Sequence, residues 1–141
     1  MPASRRSRTF PEAAVAALND SLARPTVMLL EKDGEPELAA AWPPLEELGT
    51  AEMTAARWAM KRDEPAGTDT GTLPVVPWLF LPLKTARGVL GVLGLGQGEQ
   101  GAKLDSEART LFETLAEQTA AALDRASLAR EMVQARGAAE D

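Results

Sequence analysis

The chain is expected to fold as a single α+β domain, an antiparallel sheet with its helices gathered on one face. Three observations predict this. Apolar residues recur at helical spacing near both ends of the chain. Two nearly continuous apolar runs, Trp78–Lys84 and Val89–Leu95, are separated by only a short turn. An Asp33-Gly34 pair between two further short apolar runs is a strong hairpin signal. At 141 residues the chain has the size of one domain, burying about two thirds of its unfolded surface.

In chain order, residues 1–9, with Arg5, Arg6 and Arg8, are read as a flexible basic tail. Pro11–Leu22 reads as the first helix. Pro11 suits the first turn, Glu12 the positive helix end, and Val15, Leu18 and Leu22 share one face. Arg24-Pro25 stops it. Val27–Glu31 and Glu37–Ala41 are strands on either side of Lys32-Asp33-Gly34, and Pro43-Pro44 ends the second. From Thr50, read as a cap, Met53, Ala56, Ala59 and Met60 mark a helix to about Arg62.

A polar stretch, PAGTDTGTLP at 65–74, reads as a loop. The two apolar runs follow as strands joined over Thr85-Ala86-Arg87-Gly88, and both are expected to be buried in the middle of the sheet. Pro82 lacks a backbone donor, so Leu81–Leu83 must hold a bulge or an unpaired edge. Asp105 caps a last helix running to about Ala135, with Asp105 and Arg109 as an i,i+4 pair. On it Ala108, Phe112, Leu115, Thr119, Ala122, Ala126, Ala129 and Val133 follow a 4-3 spacing. Such spacing is the seam of a helix packed along another helix, and homodimerisation is the expectation. Residues 136–141 read as a frayed end or linker.

Composition removes whole classes of chemistry. The chain has no cysteine and no histidine, which rules out disulfides, Cys/His zinc sites, histidine-ligated haem and Ser-His or Cys-His catalysis. The net charge of −6 argues against nucleic acid as a partner. No apolar run spans a bilayer and no signal peptide is visible, so direct membrane contact is not expected and a cytoplasmic location is.

Gly96-Gln97-Gly98-Glu99-Gln100-Gly101 matches GxGxxG, but a dinucleotide site needs a second parallel strand with an acidic residue at its end. Here the chain stays helical, and Asp124 lies within that helix. Glu35, Glu37, Glu46 and Glu47 are not placed to face one another in an apolar cleft, and Ser106 and Ser127 have no base nearby. No cofactor or metal is expected.

The 65–77 loop is the remaining candidate. The hydroxyls of Thr68, Thr70 and Thr72 and the carboxylate of Asp69 could grip a small polar ligand, or could equally cap their own turns.

The run RWAMKRDEPAGTDTGTLPVVPWLFLPLKTARGVLGVLGL, residues 57–95, resembles the GAF domain of KdpD-type potassium-responsive sensor histidine kinases. The carriers are a helix with a tryptophan, then PAG, a Gly/Thr/Asp loop ending in TLP, a strand with LPL and a GVLGL strand. LFETLAEQTAAALDRASLARE at 111–131 is similar to that family's outgoing helix, and VMLLEKDGEPEL to its first hairpin.

The resemblance implies a GAF fold for residues 10–135, with the N- and C-terminal helices side by side on one face of a central antiparallel sheet. It implies a non-catalytic sensory and dimerisation module within a longer kinase anchored in the inner membrane. A response regulator would then be met only through a kinase core beyond this chain. The family's loop places aspartate directly before the threonine of TLP. Here the order is Thr68-Asp69-Thr70-Gly71-Thr72-Leu73-Pro74, so a role of that aspartate transfers poorly to Asp69. Without cysteine or histidine, the covalent bilin and histidine-haem modes of GAF domains are excluded. The alternative is a small-ligand-binding GAF domain with its pocket under the 65–77 loop.

Overall fold

The computed structural model describes residues 9–68, 70–97 and 104–140, the side chains of 137–140 excepted. Helix α1 (Phe10–Leu22) begins with a capping box. Thr9 Oγ1 accepts from the Glu12 amide at 3.3 Å, and Glu12 Oε1 accepts from the Thr9 amide at 2.9 Å, satisfying two otherwise orphaned donors. It ends on Ala23 in the left-handed conformation, φ 56°. A Cβ is unfavourable there, so Ala23→Gly is expected to raise the unfolding free energy by about 1 kcal/mol, read from the urea midpoint at unchanged m-value.

Strands β1 (Thr26–Lys32) and β2 (Glu35–Trp42) form the hairpin. Asp33 and Gly34 both take positive φ, 54° and 84°, as a two-residue turn of the strand-matching twist requires. Glu31 Oε2 closes the turn by accepting from the Gly34 amide at 2.7 Å.

Helix α2 (Thr50–Arg62) corrects two expectations. Its N-cap is Gly49, not Thr50, and no side chain caps it. It also lies on the opposite face of the sheet from α1, so the helices are not gathered on one face. Ala55, Ala56 and Ala59 are its buried residues together with Met60, and these small side chains let the helix lie close upon Val27, Leu29, Phe80 and Val92.

The stretch read as a loop contains a short strand, β3 (Ala66–Gly67), paired with Phe80 and Leu79 of β4 (Trp78–Thr85). β4 pairs in turn with β5 (Gly88–Gly96), and the antiparallel sheet runs β2-β1-β5-β4-β3. Pro82 lies opposite Val92 of β5, but β3 stops short of it, so β4 is unpaired on its other side there, and the register with β5 shifts just beyond, between Leu83 and Lys84.

Alternation along the strands divides the core. Met28, Leu79, Leu81, Leu83, Leu93 and Leu95 face α1 and the last helix, α3 (Ser106–Glu140), while Val27, Leu29, Phe80 and Val92 face α2. Gly94 sits opposite both Val27 and Phe80. A Cβ there would come within 2.6 Å of the Phe80 ring, so this glycine is what makes room for the phenylalanine.

α3 is capped as expected, Asp105 Oδ1 accepting from the Ala108 amide at 2.8 Å. The Asp105–Arg109 ion pair is not formed, however. Arg109 turns the other way along the helix and meets Glu113 at 3.0 Å, leaving Asp105 to its backbone donor. No helix among the described residues is long and apolar enough to cross a membrane.

Candidate functional site

The loop after β3 is held by its own bonds. The Gly67 amide donates to Thr72 O, the Thr68 amide to Trp78 O, and the Val76 amide to Leu73 O. Thr70 sits at the centre. Its hydroxyl is 2.7 Å from both Gly67 O and Thr72 O, and it accepts from the Thr72 amide at 3.0 Å. Thr70 is therefore a turn-closing residue, spent on the loop's own backbone. Thr68 and Thr72 are half-buried, and Asp69 lies outside the described residues.

Beneath the loop the described residues are apolar. Leu73, Val76 and Trp78 pack with Met60 and Phe80, the Trp78 and Phe80 rings stacking at 6.1 Å. Among the described residues Thr26 is the only buried polar side chain, and its hydroxyl meets Arg24 O, away from the loop. Gly96 and Gln97 open the GxGxxG stretch, whose remainder lies outside the described residues. No group of three or more Asp or Glu that could hold a metal ion occurs among the described residues.

The 4-3 stripe on α3 is split three ways. Phe112 is fully buried in the protein's own core with Val15, Leu18 and Leu93, so it is not available to a partner helix. Leu115, Thr119 and Ala122 line a shallow groove of about 230 Å³ against Phe10, Ala14 and Ala17 of α1. There Thr119 Oγ1 donates to Leu115 O at 2.7 Å, which hides its polarity from the groove. Ala108 is half-buried, while Ala126, Ala129 and Val133 are exposed. Leu123 is the last buried residue of α3 among those described. Beyond it Leu128, Met132 and Val133 are 43%, 63% and 70% exposed.

Ion pairs fasten the helices to the sheet. Glu35, at the start of β2, receives Arg57 and Lys61 of α2, with Lys61 Nζ at 3.1 Å. The Arg57 hydrogen bond first, and then that of Lys61, holds the Glu35 carboxyl below the usual carboxylate value. Lys84 of β4 meets Asp63 at the end of α2 at 2.6 Å.

Arg87, in the β4–β5 turn, reaches α3 twice, Nε to Asp124 Oδ1 and Nη1 to Glu131 Oε2, both at 2.8 Å. The Asp124 bond in particular holds the guanidinium above its ordinary pKa. The sequence reading missed this contact. Acids seven apart on a helix were visible, but the arginine that joins them comes from a distant turn.

A family model described as GAF domain matches residues 12–125. The sensor protein KdpD of Escherichia coli strain K12 is 36% identical over 85 residues, which are 60% of this chain and 10% of that protein. The chain thus spans about a tenth of the length of that relative.

Among solved structures, the GAF domain of the E. coli potassium sensor histidine kinase KdpD superposes with a TM-score of 0.70 at 25% identity, covering 87% of this chain and 85% of the other. The GAF-B domain of DevS from Mycobacterium smegmatis gives 0.68 at 23% identity, over 87% of this chain and 96% of that one, a likeness of fold alone. With five antiparallel strands, and α1 beside α3 on one face, the chain belongs to the GAF domain family and is related to the GAF domain of KdpD.

Proposed function

We propose that the chain is the non-catalytic sensory module of a KdpD-type sensor histidine kinase, pairing with a second copy through α3 and relaying a signal along that helix. The observation that carries this reading is the exposed apolar side of α3 past Leu123, on a helix of 35 residues, or about 50 Å. A helix that outruns its sheet while keeping Leu128, Met132 and Val133 uncovered is built to meet another helix.

In this reading the chain is a cytoplasmic domain of a protein anchored in the inner membrane, with the phosphorylated histidine, nucleotide site and response-regulator contacts elsewhere in such a kinase; its likeness to KdpD supports that reading. The relay would run from the sheet and loop face to the packing of α3, and from there along the helix as a change of register or rotation. The small-ligand alternative would have to draw on Thr68 and Thr72 rather than Thr70, whose hydroxyl is spent on the loop's own backbone.

Sedimentation of the chain over a range of concentrations tests pairing. A reversible dimer is expected, and Ala126→Glu with Val133→Glu should raise its dissociation constant at least tenfold, about 1.4 kcal/mol. Both positions are exposed, so the melting temperature of the diluted chain should not move. A strict monomer at high concentration, for this chain and for one extended into the next helix, would remove the pairing claim.

A further inference from the structure

The Arg87 contact bears on how α3 leaves the domain. Asp124 and Glu131 lie two turns apart on one side of the helix, and Arg87 bridges them from the β4–β5 turn. The turn holds the arginine backbone firmly. Thr85 Oγ1 accepts from the Arg87 amide at 3.1 Å and donates to Gly88 O at 3.0 Å, so the side chain springs from a fixed base.

At about 100° per residue, Ala126, Ala129 and Val133 are roughly 140° to 180° around the helix from these two acids. Leu128 and Met132 lie nearer, roughly 40° to 100° from the two acids. The bridge grips one side of α3 while Ala126, Ala129 and Val133 point away from it. It does so at and beyond Leu123, where the apolar core no longer determines how the helix is turned.

We propose that Arg87 is a latch that sets the rotation of α3 about its own axis as it leaves the sheet, and that its release lets movement of the β4–β5 turn reach the outgoing helix. The proposal deepens the pairing-and-relay reading and rests on it only for what the rotation would accomplish. Contacts made through one guanidinium at a partly exposed site are also screened by salt, so the latch loosens as ionic strength rises.

The chain contains no cysteine, so two spin labels can be placed without removing native thiols. Exposed Ala13→Cys on α1 and Gln134→Cys on α3 report the helix position within one chain, if labelled protein is diluted in excess unlabelled protein. Arg87→Ala is expected to broaden the distance distribution at least twofold, and 1 M salt to broaden the wild-type distribution towards the same width.

The reversed set, Arg87→Glu with Asp124→Arg and Glu131→Arg, should narrow it again. A distribution of unchanged width in Arg87→Ala would overturn the latch, and so would broadening that the reversed set leaves in place while its fold is intact by circular dichroism. Because the distance lies within one chain, a protein that never pairs still reports on the latch. A protein that pairs with an unaltered distribution keeps the pairing and loses the latch.

Discussion

Phe112→Ala is expected to remove about 3–5 kcal/mol of stability, a large fraction of the total for a domain of this size. The ring is fully buried on α3 and belongs to the cluster that joins α3 to Val15 and Leu18 of α1 and to Leu81, Leu83 and Leu93 of the sheet. Truncation leaves a cavity that these neighbours can close only in part, because they are held by one helix and two strands at once.

In urea the midpoint should fall with little change in m-value. The melting temperature should drop by about 10–20 °C, given a few degrees per kcal/mol at this chain length. Val133→Ala, at a 70% exposed position of the same 4-3 stripe, should leave a dilute sample unchanged within about 0.5 kcal/mol. Measurements across protein concentrations separate folding from pairing, since only the latter shifts apparent stability by mass action. If Phe112 belonged to an intermolecular seam, Phe112→Ala would weaken association and spare the diluted chain.

That contrast shows where sequence reading reaches its limit. A helix lying on its own sheet and a helix lying on a partner both repeat every three to four residues, so the spacing through Phe112, Leu115 and Val133 could not say which neighbour each would meet. Local chemistry was more legible. The Asp33-Gly34 turn and the Asp105 cap follow from conformational preference within a few residues, and both are where the sequence placed them.

The side of the sheet taken by α2 was not legible. An order of helices and strands does not say over which face a connection crosses, and the close seat of Ala55, Ala56 and Ala59 has meaning only once Phe80 and Val92 lie beneath them. Arg109 choosing Glu113 over Asp105 has a similar cause, because Asp105 already accepts from the Ala108 amide as the helix cap. At the candidate site, the loop read as equally suited to gripping a ligand or closing on itself, and Thr70 takes the second course.

Gly67→Ala is expected to be about as damaging as opening the core, at a position that looks like loop in the sequence. Gly67 has φ 106°, a conformation that L side chains rarely adopt, and a Cβ built there would run into the carbonyl oxygen of Trp78. That oxygen accepts the Thr68 amide at 2.9 Å, and the Gly67 amide itself donates to Thr72 O at 2.8 Å.

The substitution therefore imposes backbone strain of about 1–3 kcal/mol, and relieving it means moving β3 away from β4. Each hydrogen bond then broken adds about 1 kcal/mol. Separation of β3 also uncovers Val76 and Leu73, whose burial depends on the loop lying down over Met60 and Phe80. The sum is about 3–5 kcal/mol, unless the loop detaches and the rest of the sheet survives without it.

Hydrogen exchange decides between those outcomes, because amides of β1 and β5 report on the sheet while those of Thr68, Thr72 and Val76 report on the loop. Loss of protection at the loop amides is expected in either case. Full protection there in the Gly67→Ala chain would mean that the approach to Trp78 is not what fixes this loop.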